Sequence, residues 1–480
     1  MLSLRTFFVL LLAAVAGLFP GAASSAGEAT PPNIVLIYAD DLGWRDTGHG
    51  GSDYYETPHL DRLASEGMVF TDGYAPAALC APSRAAWLAG QTPARTGFYG
   101  HAGSILSPSR MRVLPEIGRF GYPAGEPTVA GVLRDAGYVT GVIGKWQLPA
   151  IPGTSPSDLG FSFVHRIEPK KGAKPDEAAG PKHIDEIARE AVRFLEENRD
   201  RPFFLYVSHL AVHTPREARP EMFEKYAAKE RGRLHRDARY AAMVAHLDDS
   251  VGVVLAAIDR LGLADRTLVV FTSDNGASLL SSQAPLSGAK GSYLEGGIRV
   301  PMVARLPGTI PAGAKTGVPA SQIDLFPTFL DLAGVPTPSG KTLDGETLAP
   351  LLRDGTPPSR QALYWHAPGY AGRGGRRSDA LPFASRPVSA VRKGDWKLLL
   401  HHDRWSLDGG REKIRQNRAV ELFDLSTDIG ERRDLAGANP EKRDELLADL
   451  LAWLESNDAR IAGQANPRFE DGVPVPHDRR

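Results

Sequence analysis

One cysteine, Cys80, is all that 480 residues provide. A lone thiol cannot close an intramolecular disulfide, so stability must come from the size of the core. No Asn-X-Ser/Thr acceptor for N-glycosylation occurs anywhere in the chain. With 56 basic and 57 acidic residues the formal net charge is −1, which excludes a general attraction to nucleic acid or to an anionic membrane. Anion binding must therefore come from local clusters. Long apolar runs are scarce as well. The run at Phe7–Phe19 is about a dozen residues, short of the roughly 20 that cross a bilayer, and no other stretch is expected to be long and apolar enough to cross one. No internal repeat or coiled-coil heptad is visible.

What is present begins with a leader. Arg5 gives a charged start, the apolar run follows, and Ala23-Ser24-Ser25-Ala26 supplies small residues for cleavage. Residues 1–26 are read as a signal peptide, and the mature chain as a soluble exported protein beginning near Gly27. Without disulfides or sequons, a bacterial periplasm or exterior fits better than a eukaryotic secretory route. Hydrophobic residues at 42% and charged residues at 24% supply a substantial core, enough for one large domain or two.

Four short apolar runs each stop at residues able to do chemistry. Asn33–Tyr38 leads into Asp40-Asp41, Tyr138–Ile143 into Gly144-Lys145-Trp146, Phe203–Ser208 into His209 and His213, and Thr267–Thr272 into Asp274-Asn275. Runs this short and uncharged predict central strands covered on both faces. Helical patterns at Glu126–Ala136, His183–Asn198 and Arg239–Leu261 alternate with them, which predicts an α/β fold with parallel strands. In such sheets ligands bind beyond the carboxyl ends of the strands. Any one of these polar ends reads as a turn, a helix cap or a surface residue, but four together point to one shared pocket.

Asp40, Asp41 and Asp274 would repel one another if gathered without a counter-ion. A hard divalent cation, Ca²⁺ or Mg²⁺, resolves this with oxygen ligands, an Asn275 carbonyl included. Cys80 lies just before a predicted helix start, where Pro82 suits the first turn and Ala85-Ala86-Trp87-Leu88-Ala89 favours helix. A helix N-terminus attracts anions of the phosphate or sulfate kind. The other fate of a free cysteine is a small buried hydrophobe. Trp87 and Phe98 read as core residues.

The ordered motifs DDLG, CAPSR, GKW, HTP, SDNG and GAKGSYLEGGIRVP resemble those of the formylglycine-dependent sulfatases, in the alkaline phosphatase superfamily. The Thr96-Gly97-Phe98-Tyr99 stretch is similar to arylsulfatases and hexosamine 6-sulfatases. The resemblance runs from about Pro31 into the C-terminal region and implies a large, mostly parallel mixed sheet flanked by helices, with a smaller C-terminal antiparallel sheet plus helix. It implies that a maturation enzyme, reading Pro82 and Arg84, oxidises Cys80 to formylglycine (3-oxoalanine). Asp40, Asp41, Asp274 and Asn275 would then hold the metal, usually Ca²⁺, together with residue 80. Arg84 and Lys145 would stabilise the formylglycine, while His213 and Lys290 would contact the sulfate and one or the other would protonate the departing alcohol. The hydrated aldehyde supplies the attacking hydroxyl in a two-step hydrolysis that an unmodified thiol cannot repeat. The implied substrate is a sulfate monoester of an aryl or carbohydrate alcohol, small molecule or glycan.

One position departs from the family pattern. Gln147 follows Trp146 where many members carry a histidine, and an amide cannot act as a base at neutral pH. Either another group such as His209 substitutes, or water does the work, or turnover is slow. Two other readings stay open: a phosphate or phosphonate monoester hydrolase with the same nucleophile, and a non-catalytic binder of sulfated glycans.

Beyond Leu351 the character changes. Apolar runs at Ala362–His366, Val388–Val391, Trp396–Leu400 and Ala419–Leu425 predict a small antiparallel sheet, followed by a helix over Glu441–Ser456. The expected division is a catalytic domain over 27–355 and a smaller one over 356–480. Basic loops at Glu168–His183, Arg216–Arg239 and Gly369–Arg377 either grip a sulfated polysaccharide or stay solvated.

Overall fold

The computed structural model describes residues 31–470 apart from 101–108, 110, 117, 120, 123–124, 150–151, 168–176 and 372–383. The leader at 1–26 and parts of the first and third basic loops lie outside the described residues.

Fourteen strands are present among those residues: β1 (Asn33–Ala39), β2 (Met68–Phe70), β3 (Gly73–Tyr74), β4 (Val139–Gly144), β5 (Phe163–Arg166), β6 (Phe203–Ser208), β7 (Thr267–Ser273), β8 (Met302–Arg305), β9 (Ala314–Thr316), β10 (Ala320–Ser321), β11 (Ala362–Ala367), β12 (Val388–Lys393), β13 (Trp396–His401) and β14 (Val420–Asp424). Eight form the main sheet, in the order β5-β4-β6-β1-β7-β8-β2-β9. From β5 to β7 every pairing is parallel, and β8 runs antiparallel to both β7 and β2. The four chemistry-bearing runs are thus the adjacent strands β4, β6, β1 and β7, and their carboxyl ends lie side by side.

Side-chain alternation along β1 splits the core into two layers. Val35 and Ile37 face the helices Pro58–Ser65, Ile184–Asn198 and Ala238–Arg260. Ile34, Leu36 and Tyr38 face Cys80–Ala89, Val129–Asp135 and Leu325–Ala333. All seven residues of β1 are buried, which explains its lack of charge. The strand predictions fall within a residue or two of the observed bounds. The helix predicted from Glu126 starts at Val129, because Pro127 precedes it and the Thr128 side chain caps it by accepting from Gly131 N at 2.9 Å.

Ala238–Arg260 corrects one expectation. By length and composition this helix is apolar enough to cross a membrane. Most of it is buried in the first core layer, so its apolarity is that of a core helix.

Strands β11 to β14 form an antiparallel sheet in sequence order. One face (Val391, Leu398, Leu400, Leu422) packs on Leu446, Leu447 and Leu450 of the helix Pro440–Ser456. The other (Trp365, Ala390, Leu399, Phe423) packs on Tyr74, Leu294 and Ile298. This is the predicted smaller sheet plus helix.

Candidate active site

The helix Cys80–Ala89 begins at Cys80 itself, with Leu79 as its cap. Cys80 therefore sits inside the first turn rather than ahead of it, and Pro82 falls two residues further on, still where helix N–H groups need no internal partner. The helix stops at Gly90, whose φ of 64° suits a residue without a Cβ. Across the sheet, Gly144 ends β4 with φ 100°, and a Cβ there would lie 2.0 Å from the Ser208 carbonyl oxygen. That close approach lets Lys145 N donate to the same oxygen at 2.8 Å and turns Lys145 over the sheet edge.

Asp40, Asp41, Cys80 and Asp274 each present one ligand atom, all within 4.8 Å of one another and all buried. Cys80 Sγ lies 3.4 Å from Asp40 Oδ1 and 3.8 Å from Asp41 Oδ1. Each carboxylate has its own cation. Lys145 Nζ contacts Asp40 Oδ2, Lys290 Nζ reaches Asp41 Oδ1 at 2.7 Å, and Arg84 Nη2 reaches Asp274 Oδ2 at 2.9 Å. Three negative groups are matched by three positive ones, so a divalent cation entering the cluster would leave it with net positive charge, suited to an anion.

Burial and neighbours set the protonation states. Burial is the largest influence on Asp40, but the Lys145 ammonium overrides it and holds the carboxyl below its ordinary value. Asp274 is raised, by burial and then by Asp40, against the pull of Arg84. Burial, then Asp274 and Asp40, push the Cys80 thiol well up, so an unmodified Cys80 is no thiolate nucleophile. Burial would lower Lys145 and Lys290. Asp40 and Cys80 reverse this for Lys145, as Cys80 and Asp41 do for Lys290, and both ammonium groups are raised.

The residues fit a hard cation. Asn275 is fully buried, and its Nδ2 donates to Asp41 Oδ1 at 2.8 Å. Its Oδ1 has no hydrogen-bond partner among the described residues. An orphaned amide oxygen beside three carboxylates completes an oxygen-rich donor set of the calcium or magnesium kind. Only Cys80 brings sulfur, and oxidation to an aldehyde would place oxygen there.

The other expected residues are placed differently. His213 is partly exposed; its Nδ1–H donates to the Thr214 carbonyl at 2.6 Å, leaving Nε2 toward the cluster, 3.8 Å from Asp41 Oδ2. His209 is fully buried, and neither ring nitrogen has a partner among the described residues. Burial, with His246 adding, pushes its imidazole down to about 3, so it stays neutral. Gln147 is half-buried two residues beyond Lys145, with a left-handed φ of 59°.

Three further residues belong to this surrounding. Tyr206 Oη and Ser208 Oγ accept from Arg84 Nη1 at 2.7 and 2.5 Å, and Ser208 Oγ donates to the Lys145 carbonyl at 2.6 Å. Two hydroxyls at i and i+2 on an otherwise apolar strand were the available sign of this. Lys182, just before the helix Ile184–Asn198, is 8% exposed, and Asp40 and Lys145 both act on its charge. Its nearest carboxylate among the described residues is Glu217 at 4.0 Å. Nothing in its sequence context distinguishes it from the other lysines of that loop.

The sulfatase family profile matches residues 32–335, and that of N-sulphoglucosamine sulphohydrolase C-terminal regions matches 290–458. The chain is 36% identical to human arylsulfatase A over 96% of its own length and 95% of that protein. It is 35% identical to dog N-acetylgalactosamine-6-sulfatase over 95% of this chain and 90% of that one. The crystal structure of Ps i-CgsB superposes with a TM-score of 0.71 at 28% identity, covering 91% of this chain and 95% of that one. With matching motifs, matching architecture and a buried acidic cluster around its single cysteine, the chain belongs to the sulfatase family and is a sulfuric ester hydrolase.

Proposed function

We propose that this chain is an exported sulfatase that hydrolyses sulfate monoesters of carbohydrate or aryl alcohols at the cluster around Cys80. The observation that carries the reading is the convergence of Cys80, three carboxylates and three paired cations at the carboxyl ends of four adjacent parallel strands. Asp40, Asp41, Asp274 and Asn275 would hold Ca²⁺, with Mg²⁺ as the alternative, and a maturation enzyme would oxidise Cys80 to formylglycine. When present, the cation would polarise a sulfuryl oxygen, and the hydrated residue 80 would supply the nucleophilic hydroxyl.

The remaining residues do the positioning. Arg84 holds Asp274 against Tyr206 and Ser208 and fixes its orientation. Lys145 and Lys290 are cationic and partly accessible, so each can divide its ammonium donors between its carboxylate and a sulfuryl oxygen and stabilise charge as it develops. His213 has its Nδ1–H committed to Thr214, which leaves Nε2 to deliver a proton to the departing alcohol. The carbohydrate preference rests on relatives named for N-acetylgalactosamine 6-sulfate chemistry.

The test combines mass spectrometry of the Cys80 peptide with matched kinetics. Protein with residue 80 converted, loaded with Ca²⁺, is expected to hydrolyse 4-nitrophenyl sulfate faster than 4-nitrophenyl phosphate. Fully converted protein that ignores sulfate esters, or that prefers the phosphate, would overturn the reading.

A further inference from the structure

A second cavity lies beside the loop that delivers Lys290. Its volume is about 660 Å³, within the range of small-molecule sites of about 300–1,000 Å³. Ser287, Gly288 and Ala289 form part of its wall. Ala289 directly precedes Lys290, so their Cα atoms are about 3.8 Å apart and the cavity begins one residue from the acidic cluster. Also in the wall, Ser281 Oγ donates to Asp46 Oδ1 at 2.5 Å and Tyr55 Oη lies 3.2 Å from Ser281 Oγ, which ties both residues to the Asp41–Asp46 turn. The cavity and the cluster thus share the loop that runs from Asp274 to Lys290, and the cavity wall is hydrogen-bonded to the turn that follows Asp41.

Among the described residues, the unpaired charges of the lining are positive. Arg236 and Arg432 are exposed, and neither has an ion-pair partner among the described residues. Asp237 is the one carboxylate in the wall, and it is already engaged. It pairs with Arg216 and caps the helix Ala238–Arg260 by accepting from Arg239 N and Tyr240 N. Gln283, 5% exposed, lies against Gly43, and neither its amide nitrogen nor its oxygen has a partner among the described residues. A buried amide left this way is destabilising, and a group that both donates and accepts, as a sugar hydroxyl does, would recover that loss. Leu279 adds an exposed apolar surface, 54% accessible, for the C–H face of a ring.

Resting on the sulfatase reading above, we propose that this cavity is a glycan subsite: it takes a neighbouring sugar that bears its own anionic group, held by Arg236 and Arg432. The anion is a carboxylate or a second sulfate. Guanidinium groups without carboxylate partners suit either, because their fork matches both oxyanions. The site would thereby select an acidic oligosaccharide over a lone sulfated sugar or an aryl sulfate.

The test uses Arg236→Ala/Arg432→Ala, two exposed positions whose truncation leaves the core untouched. The probes are a tetrasaccharide from chondroitin 6-sulfate, which carries carboxylates, a sulfated galactan tetrasaccharide, which does not, and 4-nitrophenyl sulfate. KM for at least one tetrasaccharide is expected to rise about 10- to 100-fold with kcat unchanged, while kcat/KM for the aryl ester moves less than about twofold. The tetrasaccharide affected identifies the anion. Calorimetric binding of the same tetrasaccharides to calcium-loaded Cys80→Ser protein, with and without the two arginines, gives a readout independent of turnover. Unchanged KM and affinity for both tetrasaccharides, or an equal loss on the aryl ester, would overturn the subsite. Wild-type protein that binds a tetrasaccharide through the arginines yet hydrolyses no sulfate ester would overturn the sulfatase reading and leave the subsite standing.

Discussion

Arg84 and Asp274 stand 190 residues apart in the chain and meet at 2.9 Å, both fully buried. Among the described residues the guanidinium is the one cation paired with that carboxylate, and Tyr206 and Ser208 both accept from its Nη1.

Removing one partner of a buried pair strands the other charge, at about 3–5 kcal/mol. Urea unfolding of calcium-free Arg84→Met protein should show a loss of that size. Adding Asp274→Asn should recover part of it, because the stranded charge is gone. Strictly additive losses would mean that the two residues are not coupled.

Cation binding is expected to appear as stability as well as activity. Calcium at a hundredfold excess over its Kd should stabilise the fold by about 2.7 kcal/mol, seen as a rise in Tm that chelation reverses. Asn275→Leu should shrink this calcium-dependent rise, because it deletes the orphaned amide oxygen. A Tm indifferent to calcium in the wild-type protein would remove the metal from the cluster.

Lys397 lies 2.8 Å from Glu295 and 2.9 Å from Glu431, with all three fully buried. Burial pushes Glu431 up to about 7; Lys397 opposes the shift and Glu295 adds to it. A glutamate in the unfolded chain titrates near about 4.3. Between those values the folded protein holds a proton that the unfolded chain has released. This group therefore favours folding most at acidic pH, and the contribution is lost as pH rises from about 4.3 toward about 7. Lys397→Met should destabilise by about 3–5 kcal/mol near pH 8 and by less near pH 5.5, where the two carboxyls can take up protons. Denaturant midpoints at the two pH values check the sign, and a larger loss at pH 5.5 would contradict it.

Gln147→His should keep sulfatase activity and raise turnover of 4-nitrophenyl sulfate. It should also add a limb to the pH profile near the ordinary histidine value of about 6.5. A profile and turnover identical to wild type would take residue 147 out of proton transfer.

Much of the architecture was legible because burial on both faces leaves a plain mark: β1, β4, β6 and β7 are short, apolar and nearly uncharged. The helix over Arg239–Leu261 is legible in the same way, and only its burial in the structure tells a core helix from an equally apolar one sunk in lipid. Cys80 was placed one turn position too early, because Pro82 is compatible with more than one site in a first turn. Tyr206, Ser208 and Lys182 went unnoticed because hydroxyls and lysines carry no periodic signal of their own.

By itself the sequence determined which residues can do chemistry, the order in which they occur and the strands they terminate, since local pattern and strand burial act over a few residues. Only the tertiary structure decided which cation faces which carboxylate, that Asn275 Oδ1 has no donor among the described residues, and that His209 is sealed away while His213 is not. Those outcomes depend on parallel pairing of β1 with β6 and β7, strands more than a hundred residues away in the chain, on long-range contacts such as Arg84 with Tyr206 and Asp274, and on side-chain directions that strand order and register fix together.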